Sequence, residues 1–322
     1  MKIYVMVLNG VFDTGLSSLL DTLAMANHLA SQNADWSVEF DVTVLGTRQR
    51  VLTNNGLRVP VVSPRGLPTP DVLLIPGLAV ASHAAFKTQL ASAEVHDAQA
   101  WISRWSAAGC MTGSACTGVF VLAGTGLLAA REATTTWWMS PLFREMYPQV
   151  QLDESRMLVS SGRFITVGAA MAHLDLAFWL VRQHSPALAT LTARYLVVDS
   201  HPSQAAFVIP DQLAHMDPLV ERFERWARGQ LADGFSLSAA ARASGTSERT
   251  LARRLRLVLG KSPLSYFQDL RVERAIHLLQ TSASSIDKVA TEVGYADGVT
   301  LRTLLRRKIG LSVRELRARR VG

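Results

Sequence analysis

Cysteine is almost absent from this chain. Cys110 and Cys116 are the only two in 322 residues, too few for a disulfide framework or a cysteine-only metal site. No apolar stretch approaches the ~20 residues needed to cross a bilayer. The run after Met1-Lys2 meets Asn9 and Gly10 too soon to be a signal peptide. These absences predict a soluble protein in the reducing cytoplasm, with no membrane partner. Charge is sparse too, at 18% against 48% hydrophobic residues, which excludes disorder and leaves material for two or three domains. No cofactor is expected.

The charge that is present is uneven. Residues 221–322 hold 20 Lys/Arg against 10 Asp/Glu, while residues 1–220 hold 13 against 16. Such an excess, confined to one third of the chain, predicts a nucleic-acid or other anionic partner for that third alone. The same third contains a repeat. Ala241, Gly245, Leu251, Leu255, Arg256 and Gly260 recur as Ala290, Gly294, Leu301, Leu305, Arg306 and Gly310, at an offset of 49 or 50 residues. Each copy reads as a short helix, a glycine turn and a longer basic helix. Leu237–Ala243 and then a helix from Ser247 to Leu259 form the first unit. A helix from Pro263 follows, with Leu264, Phe267, Leu270, Ala275 and Leu278 as its inward stripe. Ile286–Val293 and Val299–Ile309 form the second unit. Arg302, Arg306, Arg307 and Lys308 remain outside. Helix-turn-helix units place their second helix in the major groove. Two in tandem predict a reader of duplex DNA.

The first two hundred residues alternate strands and helices. Ile3–Leu8, Val38–Leu45, Asp71–Ile75 and Cys110–Ala115 read as strands. Helical patterns cover Leu16–Leu29, Trp101–Ala107 and Gly118–Leu128. An extended arm spans Val51–Val62, and a hairpin Met157–Val167. This predicts an α/β fold with a doubly wound, mostly parallel sheet, followed by the all-α domain. In such sheets ligands bind outside the carboxyl ends of the strands. There Ser114-Ala115-Cys116-Thr117-Gly118 joins strand to helix, an elbow on which a nucleophile projects.

The order Asp71-Val72-Leu73-Leu74-Ile75-Pro76-Gly77, Ser114-Ala115-Cys116-Thr117-Gly118 and Ala133-Thr134-Thr135-Thr136-Trp137 resembles the PfpI-like branch of the class I glutamine-amidotransferase superfamily. It is most similar to the version fused to AraC-type regulators, often called GlxA-type. In active relatives an elbow cysteine works with a histidine and an acidic residue, and Cys116 takes the cysteine's place. The departures are specific. Thr136 stands where the fused regulators usually carry histidine, Leu78 where a second glycine is usual, and Ser114 where the elbow usually begins with glycine. His83, His173 and His201 sit in no matching motif and read as structural. Without an adjacent base a thiol is mostly protonated at neutral pH. The expected role is therefore a non-catalytic pocket lined by Asp13, Gly77, Leu78, Cys116, Thr117 and Trp137. The backbone N–H groups of Leu78 and Thr117 would serve as donors. The resemblance implies a small nitrogenous effector, a homodimer and RNA polymerase as a partner.

The last third resembles the AraC-type DNA-binding domain through Ser247–Leu255, Arg271–Ala275 and Val293-Gly294-Tyr295. That resemblance implies base contacts from Arg249, Thr250 and Arg253, and similarly from Val299, Thr300 and Arg302. Arg256 and Arg306 lie on the same faces. Leu301, Leu305 and Ile309 replace the usual aromatics, and Thr303 stands where arginine is common. The expected plan is an α/β sensing and dimerisation domain over 1–205, a linker over 206–216 and a DNA-binding domain over 217–322. The whole reads as a transcriptional regulator acting on double-stranded promoter DNA. Two alternatives stand beside it: a cysteine-dependent amidase or hydrolase carrying a DNA-binding domain, and an architectural DNA binder with an inert α/β scaffold.

Overall fold

Residues 3–8 are apolar at every position, so a strand there needs cover on both faces. The structure, a computed structural model, describes residues 1–33, 36, 38–198, 203–204 and 217–318. The chain divides into two compact units, Met1–Gln204 and Ala205–Gly322. The expected linker over 206–216 lies outside the described residues, as does His201.

The strands of the first unit are β1 (Lys2–Val7), β2 (Asp41–Gly46), β3 (Val51–Leu52), β4 (Arg58–Val59), β5 (Val72–Ile75), β6 (Met111–Ala115), β7 (Glu132–Ala133), β8 (Gln151–Leu152), β9 (Leu158–Ser161) and β10 (Phe164–Val167). Six form one sheet in the order β2-β1-β5-β6-β10-β9, parallel throughout except β9 on β10. Its helices are α1 (Asp13–Ser31), α2 (His83–Leu90), α3 (Ala93–Ala107), α4 (Gly118–Ala123), α5 (Ser140–Met146), α6 (His173–His184) and α7 (Pro186–Leu196).

Side-chain alternation along the strands sorts the core into two layers. Ile3, Val5, Val7, Val72 and Leu74 pack with Leu19, Leu23, Leu176, Leu180 and Leu188 from α1, α6 and α7. Tyr4, Met6, Leu8, Leu73 and Ile75 pack with Phe86, Ile102, Trp105, Phe120 and Phe143 from α2 to α5. Each such fully buried side chain contributes about 1.5–3 kcal/mol, so this sheet is a rigid platform for whatever its loops carry. Two helix boundaries differ from expectation. The helix expected from Trp101 begins at Ala93, where Ser92 caps it through the Val95 N–H. The helix expected over Gly118–Leu128 stops at Ala123, because Gly124 and then Gly126 (φ +78°) end it.

The second unit holds α8 (Pro218–Arg228), α9 (Leu237–Ala243), α10 (Glu248–Leu259), α11 (Pro263–Thr281), α12 (Ile286–Glu292), α13 (Gly298–Ile309) and α14 (Val313–Ala318). Asp217, Ser236, Ser247, Ser262, Ser285 and Asp297 each accept a backbone N–H at the start of α8 to α13. Each cap is worth about 0.5–2 kcal/mol, which matters for helices as short as α9 and α12. The repeat is visible in the backbone. Gly245 and Gly294 make the turns at φ +69° and +78°, and Gly260 and Gly310 end the reading helices at +67° and +73°. Leu251, Leu255, Leu301 and Leu305 are fully buried. The inward stripe of α11 needs correction: Leu264 is 48% exposed, and the buried side chains at that end are Tyr266 and Phe267.

Candidate functional site

The loops after β1, β5, β6 and β10 meet at the carboxyl edge of the sheet. Cys116 follows β6 with φ +54°, a left-handed conformation that side chains other than glycine rarely take. It is held by two bonds: its N–H donates to Val167 O (2.8 Å), and its carbonyl accepts from the Thr135 hydroxyl (2.7 Å). Gly118 makes the elbow possible. A Cβ there would fall 2.5 Å from the Pro76 carbonyl oxygen and 2.6 Å from that of Ile75. Gly77 lies directly over the elbow, its hypothetical Cβ 3.0 Å from Cys116 Cβ.

One of the two donors expected for a ligand, the Leu78 N–H, is already used. The Leu78 N–H donates to Thr117 Oγ1 (2.7 Å), whose proton goes back to Leu78 O (2.6 Å). The Gly77 N–H donates to His173 Nε2 (2.9 Å). Thr117 thus knits the β5 loop to the elbow, and the Leu78 amide is not available to a ligand. Trp137 stands at the start of a single 3-10 turn over Trp137–Met139 and is 9% exposed, while Trp138 packs against the core. Asp13 opens α1. Its Oδ2 accepts from the Asn55 N–H (3.2 Å), while Oδ1 is buried without a hydrogen-bond partner. Thr136 Oγ1 is likewise buried without one.

The Cys116 thiol is not activated. Burial pushes its pKa up to about 11, only partly opposed by the Thr117 amide and the hydroxyls of Thr117 and Thr136. His173 is the histidine that the fold brings to the elbow. It cannot serve as a base there, because Nε2 already accepts the Gly77 N–H and Nδ1 lies 2.6 Å from the Ala170 carbonyl. Those partners require the neutral tautomer with its proton on Nδ1. Burial lowers its pKa to about 4, against a smaller upward pull from the Ala170 carbonyl. Sequence reasoning placed His173 among structural histidines but missed its place. The one signal was Gly15, whose hypothetical Cβ would lie 2.6 Å from the imidazole.

A pH dependence follows. A histidine whose pKa falls from 6.5 to about 4 on folding gives stability that is complete above pH 6.5 and lost as pH falls towards 4. At about 1.4 kcal/mol per pH unit, that amounts to roughly 3 kcal/mol at the acid end. Thermal melts at pH 7 and pH 5 should show His173→Asn less stable than wild type at pH 7 but flatter between the two. An equal pH slope in both proteins would remove His173 as the source.

In the second unit the arginines fall into two groups. Arg254 pairs with Asp217, Arg228 with Glu224 and Glu273, and Arg274 with Glu292. Arg271 donates to the Leu231 carbonyl and lies over the rings of Phe267 and Tyr295. These hold the fold. Arg249, Arg253, Arg256, Arg302, Arg306 and Arg307 are exposed and have no partner among the described residues. All six lie on α10 or α13; Arg242 on α9 and Arg314 on α14 are likewise exposed without a partner among the described residues. Lys308, expected to be free with them, instead reaches Asp269 on α11. Asp269 also takes Lys261 (2.9 Å), which follows α10, so one carboxylate joins both reading units. Thr250 is half-buried and accepts from Ser247 Oγ (2.9 Å), leaving its own proton free. Val299 is 66% exposed at the start of α13, beside exposed Thr300.

The chain thus joins an α/β platform to two helix-turn-helix units that carry unpaired arginines. Residues 240–319 match the family described as "Helix-turn-helix domain". The chain is 28% identical over 203 residues to the HTH-type transcriptional regulator CdhR of Pseudomonas aeruginosa, spanning 61% of this chain and 59% of that protein. It is 27% identical over 233 residues to the HTH-type transcriptional regulator GlxA of Rhizobium meliloti, 68% of each. A THiJ/PfpI family protein from Pseudomonas syringae has the same α/β fold, with a TM-score of 0.50 at 20% identity, covering 62% of this chain and 76% of that one. The chain therefore carries a helix-turn-helix domain behind an α/β domain with the fold of that THiJ/PfpI protein, and is similar to the regulators GlxA and CdhR. Among the described residues no helix is long and apolar enough to cross a membrane.

Proposed function

We propose that this protein is a sequence-specific transcriptional regulator, controlled by a small metabolite bound at the carboxyl edge of the α/β sheet without catalysis. One observation carries the reading: of the eight exposed arginines without partners among the described residues of this unit, six lie on the two helices that a tandem helix-turn-helix presents to DNA.

For the effector, the support is Asp13 Oδ1, a buried carboxylate oxygen that lacks a hydrogen-bond partner. Unpaired acceptors favour a ligand that donates hydrogen bonds or carries positive charge. That fits the nitrogenous class implied by the resemblance. A hydrolase would need a base for Cys116, and the histidine nearest the elbow has both ring nitrogens engaged. RNA polymerase and a second copy of the chain are the further partners this function implies, and the cytoplasm is its compartment.

The test is binding of the full-length protein to fragments from upstream of its own and neighbouring genes, at two salt concentrations with excess competitor DNA. A fragment that survives competition is the expected result. Equal, weak binding to all fragments that collapses with salt would sink the reading.

A further inference from the structure

The two reading helices carry different chemistry at corresponding places. At the offset of 50 residues that sets Leu251 on Leu301 and Arg256 on Arg306, Arg249 of α10 falls on Val299 of α13. Both lie in the first turn of their helix, and both are exposed. Charge enters α10 at once, with Arg249 and Arg253. It enters α13 later, with Arg302, Arg306 and Arg307.

Val299 is 66% exposed, the most exposed large apolar side chain among the described residues of the second unit. Helix α13 gives Leu301 and Leu305 to the core, packs Leu304 and Ile309 against it, and leaves Val299 outside. Helix propensity does not account for a valine there, because its branched side chain makes it a poorer helix former than alanine.

The turn that carries Val299 is fixed. Asp297 Oδ1 accepts the Thr300 N–H (2.7 Å), and the Gly298 N–H donates to Asp287 Oδ1 on α12 (2.9 Å). A Cβ at Gly298 would lie 2.6 Å from that oxygen and 2.8 Å from Ile286 Cγ2, so the glycine lets α13 start close against α12. Thr303 Oγ1 donates to the Val299 carbonyl (3.0 Å). In a helix valine keeps one dominant rotamer. An apolar group held in this way loses little freedom when it is covered.

Its surroundings point to what covers it. The second helix of a helix-turn-helix unit brings its N-terminal residues to base edges in the major groove. The apolar feature of that groove is the methyl group of thymine, set among hydrogen-bond donors and acceptors. Arg302, Arg306 and Arg307 follow on the same helix, exposed and without a partner among the described residues. They complement a polyanion, which favours DNA over an apolar protein surface as the occupant.

We propose that Val299 reads a thymine methyl group, whereas Arg249, at the matching place in the first unit, reads a guanine edge. The two units then select different bases with the same backbone. This rests on the regulator reading above and names the base chemistry that its second helix recognises.

The test uses the full chain and the promoter fragment that wild type selects. Each thymine of that fragment is replaced in turn by uracil, which differs only in lacking the methyl group. Wild type is expected to bind about fourfold more weakly at one such position, the worth of one buried methyl group. Val299→Ala should bind the thymine and uracil probes equally there, and Arg249→Ala should keep the difference while binding both more weakly. Val299 is exposed, so its truncation leaves the core intact. No uracil penalty at any position, or the same penalty in Val299→Ala, would overturn the proposal and leave the regulator reading standing. Wild-type affinity of Val299→Ala for every probe would assign the side chain to a protein contact and overturn it too. If wild type selects no fragment, the regulator reading fails and this one with it.

Discussion

Arg253→Ala is expected to weaken binding to the selected operator by roughly 1–3 kcal/mol, about 5- to 150-fold, and to relax sequence preference at one or two base pairs. Arg253 is exposed and has no partner among the described residues, whereas its neighbour Arg254 is spent on Asp217. Ser247 caps α10 through the Thr250 amide, which fixes the first turn and therefore the direction in which Arg249 and Arg253 leave the helix. A bidentate guanidinium on a guanine edge discriminates, whereas one on phosphate does not. Arg307→Ala supplies the contrast, with a uniform loss on all sequences and a salt slope shallower by about one. Measured by competition titration at several salt concentrations, uniform loss from Arg253→Ala would contradict base reading.

Gly118→Val should unfold or severely weaken the α/β unit. Its Cβ would collide with two backbone carbonyls, Pro76 O at 2.5 Å and Ile75 O at 2.6 Å, and backbone cannot rotate away as a flexible side chain would. The helix cannot retreat either, because every residue of α4 from Gly118 to Ala123 is buried. Overpacking against fixed atoms places the cost at about 3 kcal/mol or more. For a unit of this size the melting temperature should fall by roughly 6–12 °C. Gly229→Ala is the control. Its nearest neighbour would be the Trp226 carbonyl oxygen at 3.4 Å, its φ is −77°, and a change within about 0.5 kcal/mol is expected. Calorimetry showing equal, small effects for both would mean that the elbow tolerates a wider approach.

The parts of the molecule legible in the sequence are those set by short-range rules. Leu237–Ala243 and the reading helix ending at Leu259 are found where caps, glycine turns and leucine spacing place them. The six-stranded sheet follows from apolar runs that allow no exposed face. What stayed hidden depends on contacts across long stretches of chain. His173 meets Gly77 across 96 residues, and Gln204 meets Thr135 across 69. Neither partner has a local pattern, so no periodicity announces either contact. Lys308 looked free because helical phase puts it outside, yet a lysine stem is long enough to reach Asp269 on another helix. Helix α2 was passed over although Ser82 marks its start, because its apolar face is only Phe86 and Leu90.

The two helix-turn-helix units look interchangeable in backbone, but their caps differ in charge. Ser247 opens α10 with a neutral hydroxyl, whereas Asp297 opens α13 with a carboxylate whose pKa the Thr300 amide and hydroxyl hold down. That carboxylate stays ionised at neutral pH and stands at the start of α13. Each unit thus carries one carboxylate at the start of its longer helix, but at different places: on the cap itself, Asp297, in α13, and one residue inside, Glu248, in α10. A reader built so has a front and a back, and the two orientations of an asymmetric operator are different ligands to it.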